Sequence, residues 1–160
     1  MKTALNKILL IVLLLCLTVL SLTAQTGKFY STNNELSSSL INQIFQDKRG
    51  FIWIATEYGL NRFDGLRFSN YKHISGDSTS IKNNYVRTLF EDSRQNLLVG
   101  CIDGLMKYDS ETDTFREIPM IRAGKRVFPH ITQMQKLHNG EIWVVTTGQG
   151  IFRLDEEKQQ

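Results

Sequence analysis

The side chains with chemical capacity are few and scattered. His73, His130 and His138 share no spacing of the H-x-x-x-H kind that would set two imidazoles on one ion, so no metal site is expected. There is no glycine-rich phosphate loop and no G-x-S-x-G elbow, and no cofactor is expected. Carboxylates are more suggestive. Aspartates recur at Asp47 and Asp92, and again at Asp64, Asp109 and Asp155. Two carboxylates held together could serve as general acid and base. Each of these, however, closes an apolar run at a turn, where an Asp side chain caps local backbone N–H groups. They are therefore expected to be structural, no catalytic residue is assigned, and the chain is not expected to be an enzyme.

The elements that place these residues come from a repeat. Residues 44–64 read IFQDKRGFIWIATEYGLNRFD and residues 89–109 read LFEDSRQNLLVGCIDGLMKYD. Asp47 pairs with Asp92, Trp53 with Leu98, Gly59 with Gly104 and Asp64 with Asp109, all in one frame. A third copy carries Trp143, then Gly150 and Asp155 after one inserted residue. A repeat of this length is one supersecondary unit used several times. Each copy splits into four short strand-like runs punctuated by Gly, Asp and Asn, with no helical period. The spacing predicts strands near 40–46, 51–56, 60–63 and 67–71, then 85–91, 96–100, 105–108 and 114–118, then 131–136, 141–146 and 151–154. The second strands are apolar on both faces, as a sheet stacked between two others must be. Four strands per unit of this size is the arithmetic of an all-β propeller blade, with a solenoid as the main rival. Trp53, Leu98 and Trp143 should then lie at equivalent core positions between blades.

The run from Leu36 to Gly65 resembles the two-component-regulator propeller repeat. The resemblance covers residues 29–155, with departures at Leu98, at Gly100-Cys101 and at Leu137, which replaces the strand-ending Asp. It implies the periplasmic sensor half of a Bacteroidota hybrid two-component system. Such a parent would carry tandem propellers, a β-sandwich, one membrane helix, a histidine kinase and a response regulator. It would respond to an oligosaccharide or other small extracellular ligand, and a homodimer of the parent is expected.

Residues 1–24 read as a secretory signal peptide: Lys2 and Lys7 precede an apolar run from Ile8 to Leu22, with Ala24 before the cleavage point. The chain is thus expected to be exported to the periplasm. Without Lys2 and Lys7 the formal charge of +3 becomes +1, which leaves no basic stripe and no expectation of a nucleic-acid partner. Cys101 alone remains of the two cysteines, so no internal disulfide can form and a small buried hydrophobe is expected there. The remainder divides into a lead-in with an orphan outer strand (25–35), blade 1 (36–77), blade 2 (78–122) and a partial blade 3 (123–160). Closing a ring takes roughly 4–8 blades. The chain is therefore expected to be a fragment whose natural partners are the remaining blades of its parent.

In a propeller the turns from strand two to three, and the links from strand four to the next blade, emerge on one face. Here those segments carry Glu57, Tyr58, Asp103 and Gln149, with Asn83, Asn84 and His130 on the longer links 72–84 and 121–130. Aromatic, amide and carboxylate groups together suit a hydroxyl-rich ligand. A secreted propeller enzyme, such as a lyase or glycoside-acting protein, would need matched acids there. Glu57 and Asp103 come near that pattern and Gln149 breaks it. A pure protein-interaction propeller is the third alternative.

Overall fold

The computed structural model describes residues 27–154, together with 6, 7 and 10 of the leading segment. The expected signal peptide, but for those three residues, and Asp155 lie outside the described residues. Among the described residues no helix is long and apolar enough to cross a membrane.

Three meandering sheets follow one another along the chain. The first comprises β1 (Ile41–Gln46), β2 (Ile52–Thr56), β3 (Gly59–Phe63) and β4 (Phe68–Tyr71), all antiparallel and paired in sequence order. The second repeats it with β5 (Val86–Glu91), β6 (Leu97–Cys101), β7 (Gly104–Asp109) and β8 (Thr114–Ile118). A short hairpin of β9 (Met120–Arg122) and β10 (Lys125–Val127) then intervenes. The third sheet has β11 (His130–Lys136), β12 (Ile142–Thr147) and β13 (Ile151–Leu154). The fold is all-β, and the blades form an incomplete ring.

The turns explain the recurring aspartates. Asp47 Oδ1 accepts the backbone N–H groups of Arg49 and Phe51, each at 3.0 Å, while Oδ2 accepts the buried Trp53 indole N–H at 2.8 Å. Asp92 accepts the N–H groups of Arg94 and Asn96 in the same way. Leu98 offers no indole there, and the Asn96 amide takes the free Asp92 oxygen at 2.8 Å. In the third sheet Leu137 replaces the Asp, and the Trp143 indole turns to Glu141 Oε2 at 3.2 Å. One partner of the pair is thus lost in each later blade, Trp in the second and Asp in the third, and a neighbouring side chain takes up the bond of the one that stays. Asp64 and Asp109 hold the β3–β4 and β7–β8 turns through backbone N–H groups of Leu66, Arg67, Glu111 and Thr112.

Two apolar cores lie between the sheets. Trp53, Leu60, Val86, Leu89, Val99, Tyr108 and Phe115 fill the first seam, and Leu98, Leu105, Ile118, Ile131 and Val144 fill the second. Close approach at the second seam requires a glycine: a Cβ on Gly100 would stand 2.7 Å from both Ile131 Cγ2 and Thr88 Cγ2. The first seam also carries a polar strap. The Gln43 carboxamide donates to Leu89 O at 3.1 Å and accepts from Leu89 N at 2.7 Å. Asp113, from the β7–β8 turn, accepts the hydroxyls of Tyr71 and Tyr108 and the Arg62 guanidinium.

Three expectations need adjusting. Trp53 and Leu98 are fully buried, but Trp143 is half-buried, because no sheet lies beyond β13 among the described residues to cover it. The lead-in has no strand in residues 27–35. No partner edge reaches it, and it turns as a 3-10 helix at Thr32–Asn34 while Tyr30 packs on Phe63 and Phe68. The link 121–130 is not all loop, since β9 and β10 pair within it and His130 opens β11.

Candidate ligand-binding face

The β2–β3 and β6–β7 turns meet the link that precedes β5. Gly59 N donates to Asn84 O at 2.7 Å, and Glu57 N to Leu40 O at 3.1 Å. These bonds tie the β2–β3 turn to the residues just ahead of β1 and β5. A side-chain network follows. Tyr85 Oη donates to Glu57 Oε1 at 2.8 Å and receives a longer bond of 3.4 Å from Arg87 Nη1. The Glu57 carboxylate holds the Tyr85 proton in place and raises that phenol above its ordinary range. Asn83 donates to Asp103 Oδ2 at 3.2 Å.

The sequence-predicted residues therefore separate. Glu57 and Asp103 join hydrogen-bonded networks, each with a residue from the link before β5. Asn84 is spent on structure, because its side-chain oxygen accepts the His73 N–H at 2.7 Å. Tyr58 is exposed and its ring lies under the Lys72 ammonium at 5.0 Å. Asp103 Oδ1, His130 Nε2 and Gln149 Oε1 are buried atoms with no hydrogen-bond partner among the described residues. Buried polar atoms of this kind call for water or a ligand group. Among the described residues no cluster of His, Cys, Asp and Glu could hold a metal ion.

A second feature was not foreseen. Each first strand is bulged at the same point: the register slips between Ile41 and Gln43, between Val86 and Thr88, and between Ile131 and Gln133. A bulge leaves one residue outside the ladder and re-aims its side chain. The three extra residues are Asn42, Arg87 and Thr132, and all three line one open groove of about 460 Å³ across the inner strands. Ile41, Gln43, Thr88, Gln133 and Met134 complete its wall. The frame placed these residues together, but nothing in their types marked a bulge.

With strand order, bulges and turn face in view, the comparisons with known proteins fall into place. The two component regulator propeller pattern matches residues 35–58, from the lead-in through β1 and β2 to Tyr58. These residues are a two-component regulator propeller repeat. A protein of Formosa agariphila named histidine kinase P4 is 40% identical over 74 residues, which is 44% of this chain and 5% of that protein. Among solved structures, one described as the extracellular domain of a hybrid two component system, BT3049 of B. thetaiotaomicron, superposes with a TM-score of 0.72 at 29% identity. The match covers 82% of this chain and 19% of that one. The extracellular domain of BT4673 from the same organism gives 0.64 at 25% identity, over 75% of this chain and 17% of its own. The propeller repeats here thus span about a fifth of those extracellular domains and a small part of the kinase. Both structural relatives are extracellular portions of signalling proteins, and the shared part is the propeller.

Proposed function

We propose that this chain is an N-terminal piece of an exported, periplasmic sensory propeller that binds a small extracellular ligand for two-component signalling, and that the ligand is an oligosaccharide. The observation that carries the reading is the propeller repeat at residues 35–58, together with the likeness to extracellular domains of two-component systems. The turns support it: they carry a carboxylate–phenol pair and a carboxylate–amide pair, and Asp103 Oδ1, His130 Nε2 and Gln149 Oε1 are buried without a hydrogen-bond partner among the described residues. Hydroxyl-rich ligands are recognised by such a mixture. The paired, equivalent acids expected of a propeller hydrolase or lyase do not recur, since the positions following Tyr58 in the frame are Asp103 and Gln149. Signal transmission would belong to the kinase of the parent, which lies outside this chain.

Calorimetric titration of the chain against plant and host glycans tests the reading. Binding without turnover, weakened by Glu57→Gln or Asp103→Asn, is the expected result. Glycan cleavage abolished by those substitutions would move the protein to the enzymes instead.

A further inference from the structure

The groove along β1, β5 and β11 has an uneven charge. Of the eight residues that line it, Ile41, Asn42, Gln43, Thr88, Thr132, Gln133 and Met134 are uncharged, and Arg87 is the one ionised group. No carboxylate of the described residues forms an ion pair with it; its polar contact is the Tyr85 hydroxyl at 3.4 Å. Elsewhere the chain treats arginines near its seams differently. Arg62 is held by Asp113, Arg126 by Glu117 and Arg153 by Glu141.

The bulges sharpen the contrast. Asn42 and Thr132 occupy the same bulge position as Arg87, and both spend a polar group on the framework. Asn42 Nδ2 donates to Val86 O at 2.8 Å, and Thr132 Oγ1 donates to Val145 O at 3.2 Å. The Arg87 side chain makes no hydrogen bond to backbone among the described residues, and it is exposed. An ordinary framework role is thus filled by its two equivalents and left unfilled by Arg87. A bulge that turns an unpaired guanidinium into a polar groove builds a one-sided receptor for negative charge. Glu57 lies on the far side of the Tyr85 hydroxyl and fixes that phenol as a spacer, so its charge does not close an ion pair with Arg87.

We infer that this groove is an anion-recognising subsite in which Arg87 takes a carboxylate or sulfate of an acidic saccharide. The inference rests on the sensor reading above and narrows its ligand class. The planar guanidinium presents five N–H donors and matches a planar carboxylate or a sulfate edge with two parallel bonds. Gln133, exposed on the same wall, offers both a donor and an acceptor to sugar hydroxyls.

The test uses the full chain, titrated with trigalacturonate, with galactose 6-sulfate and with neutral galactotriose. At least one anionic probe should bind at least about tenfold more tightly than the neutral trisaccharide, and Arg87→Gln should remove that advantage. The two anionic arms separate a carboxylate from a sulfate. Arg87→Lys keeps the charge but loses the fork, so it should retain part of the preference and all of its salt dependence. Circular dichroism of each variant should match the parent chain, because Arg87 supports no backbone. Equal binding of neutral and acidic probes, unchanged in Arg87→Gln, would overturn the anionic subsite and leave the sensor reading standing. Binding of none of the three would count against both.

Discussion

The pairing of Asp47 with Trp53 can be put to a quantitative test. Asp47→Ala removes the acceptor of a fully buried indole N–H and of two turn amides. The turn amides lie beside exposed Lys48, Arg49 and Gly50, so water can replace the carboxylate there at the cost of a lost cap, about 1 kcal/mol. The indole has no such recourse, and an unsatisfied buried donor costs about 1–3 kcal/mol. The expected loss is therefore about 2–4 kcal/mol. Asp92→Ala is the internal control. Its turn is built alike, but the third partner is the half-buried Asn96 amide rather than an indole, so only the cap of about 1 kcal/mol should be lost. Urea unfolding followed by far-ultraviolet circular dichroism gives both values. A cycle with Trp53→Phe isolates the indole bond, because phenylalanine has no donor to strand. The coupling between positions 47 and 53 should then be about 1–3 kcal/mol. Equal losses at Asp47 and Asp92, or a coupling below about 0.5 kcal/mol, would refute the account in which the buried indole bond sets Asp47 apart from Asp92.

Other outcomes follow from the same seams. Gly100→Ala should cost about 1–3 kcal/mol by overpacking, since the new methyl meets Ile131 and Thr88 at 2.7 Å, and Ile131→Val in the same chain should recover part of it in thermal unfolding. Burial opposes the charge of Asp113, yet the hydroxyls of Tyr108 and Tyr71 and the Arg62 guanidinium together hold its carboxyl below the ordinary value. The stability this gives is present above the unfolded pKa, about 4, and fades as pH falls through the lower folded value. Asp113→Asn should therefore flatten the acid limb of a stability–pH curve, and an unchanged limb would show that the strap is not coupled to folding. Burial pushes the Cys101 thiol up to about 12. Iodoacetamide at about pH 8.5, the ordinary thiol pKa, should label the unfolded chain readily and the native chain only as it opens. Rapid native labelling would contradict the burial of β6.

Much of the strand layout is legible in the sequence. The strands were set by the shared frame, because apolar runs and turn residues recur three times and each copy corroborates the others. The hairpin of β9 and β10 escaped because MIRAGKRV occurs once and is mostly polar, so neither frame nor period marks it. Trp143 shares the frame position of the buried Trp53 and Leu98, but frame position alone does not bury a side chain; that also needs a neighbouring sheet packed on it. At the turn face, Glu57 and Asp103 were visible as acids on strand-two-to-three turns. Asn83, the partner of Asp103, is visible too as an amide on the link 72–84; Tyr85, the partner of Glu57, is not, since a tyrosine opening a strand looks like packing. Arg87 was hidden for a different reason. Its side chain reaches the groove through a ladder slip, and strict alternation along a strand cannot announce the residue that breaks it.

The polar strap at the first seam has a consequence for how such rings are assembled. All the backbone ladders of the three sheets run within a sheet, and what joins β1 to β5 is the Gln43 carboxamide and the Asn42 amide standing in for peptide groups. The inner strands of neighbouring blades are thus joined by replaceable side chains rather than by a shared ladder, and the main-chain bond from Gly59 to Asn84 lies out at the turn face. A duplicated or deleted unit severs no ladder; it needs only a compatible amide and a matching apolar face at the new neighbour. The boundary is a socket, and the number of units around a ring can change by whole blades while each sheet keeps its internal wiring.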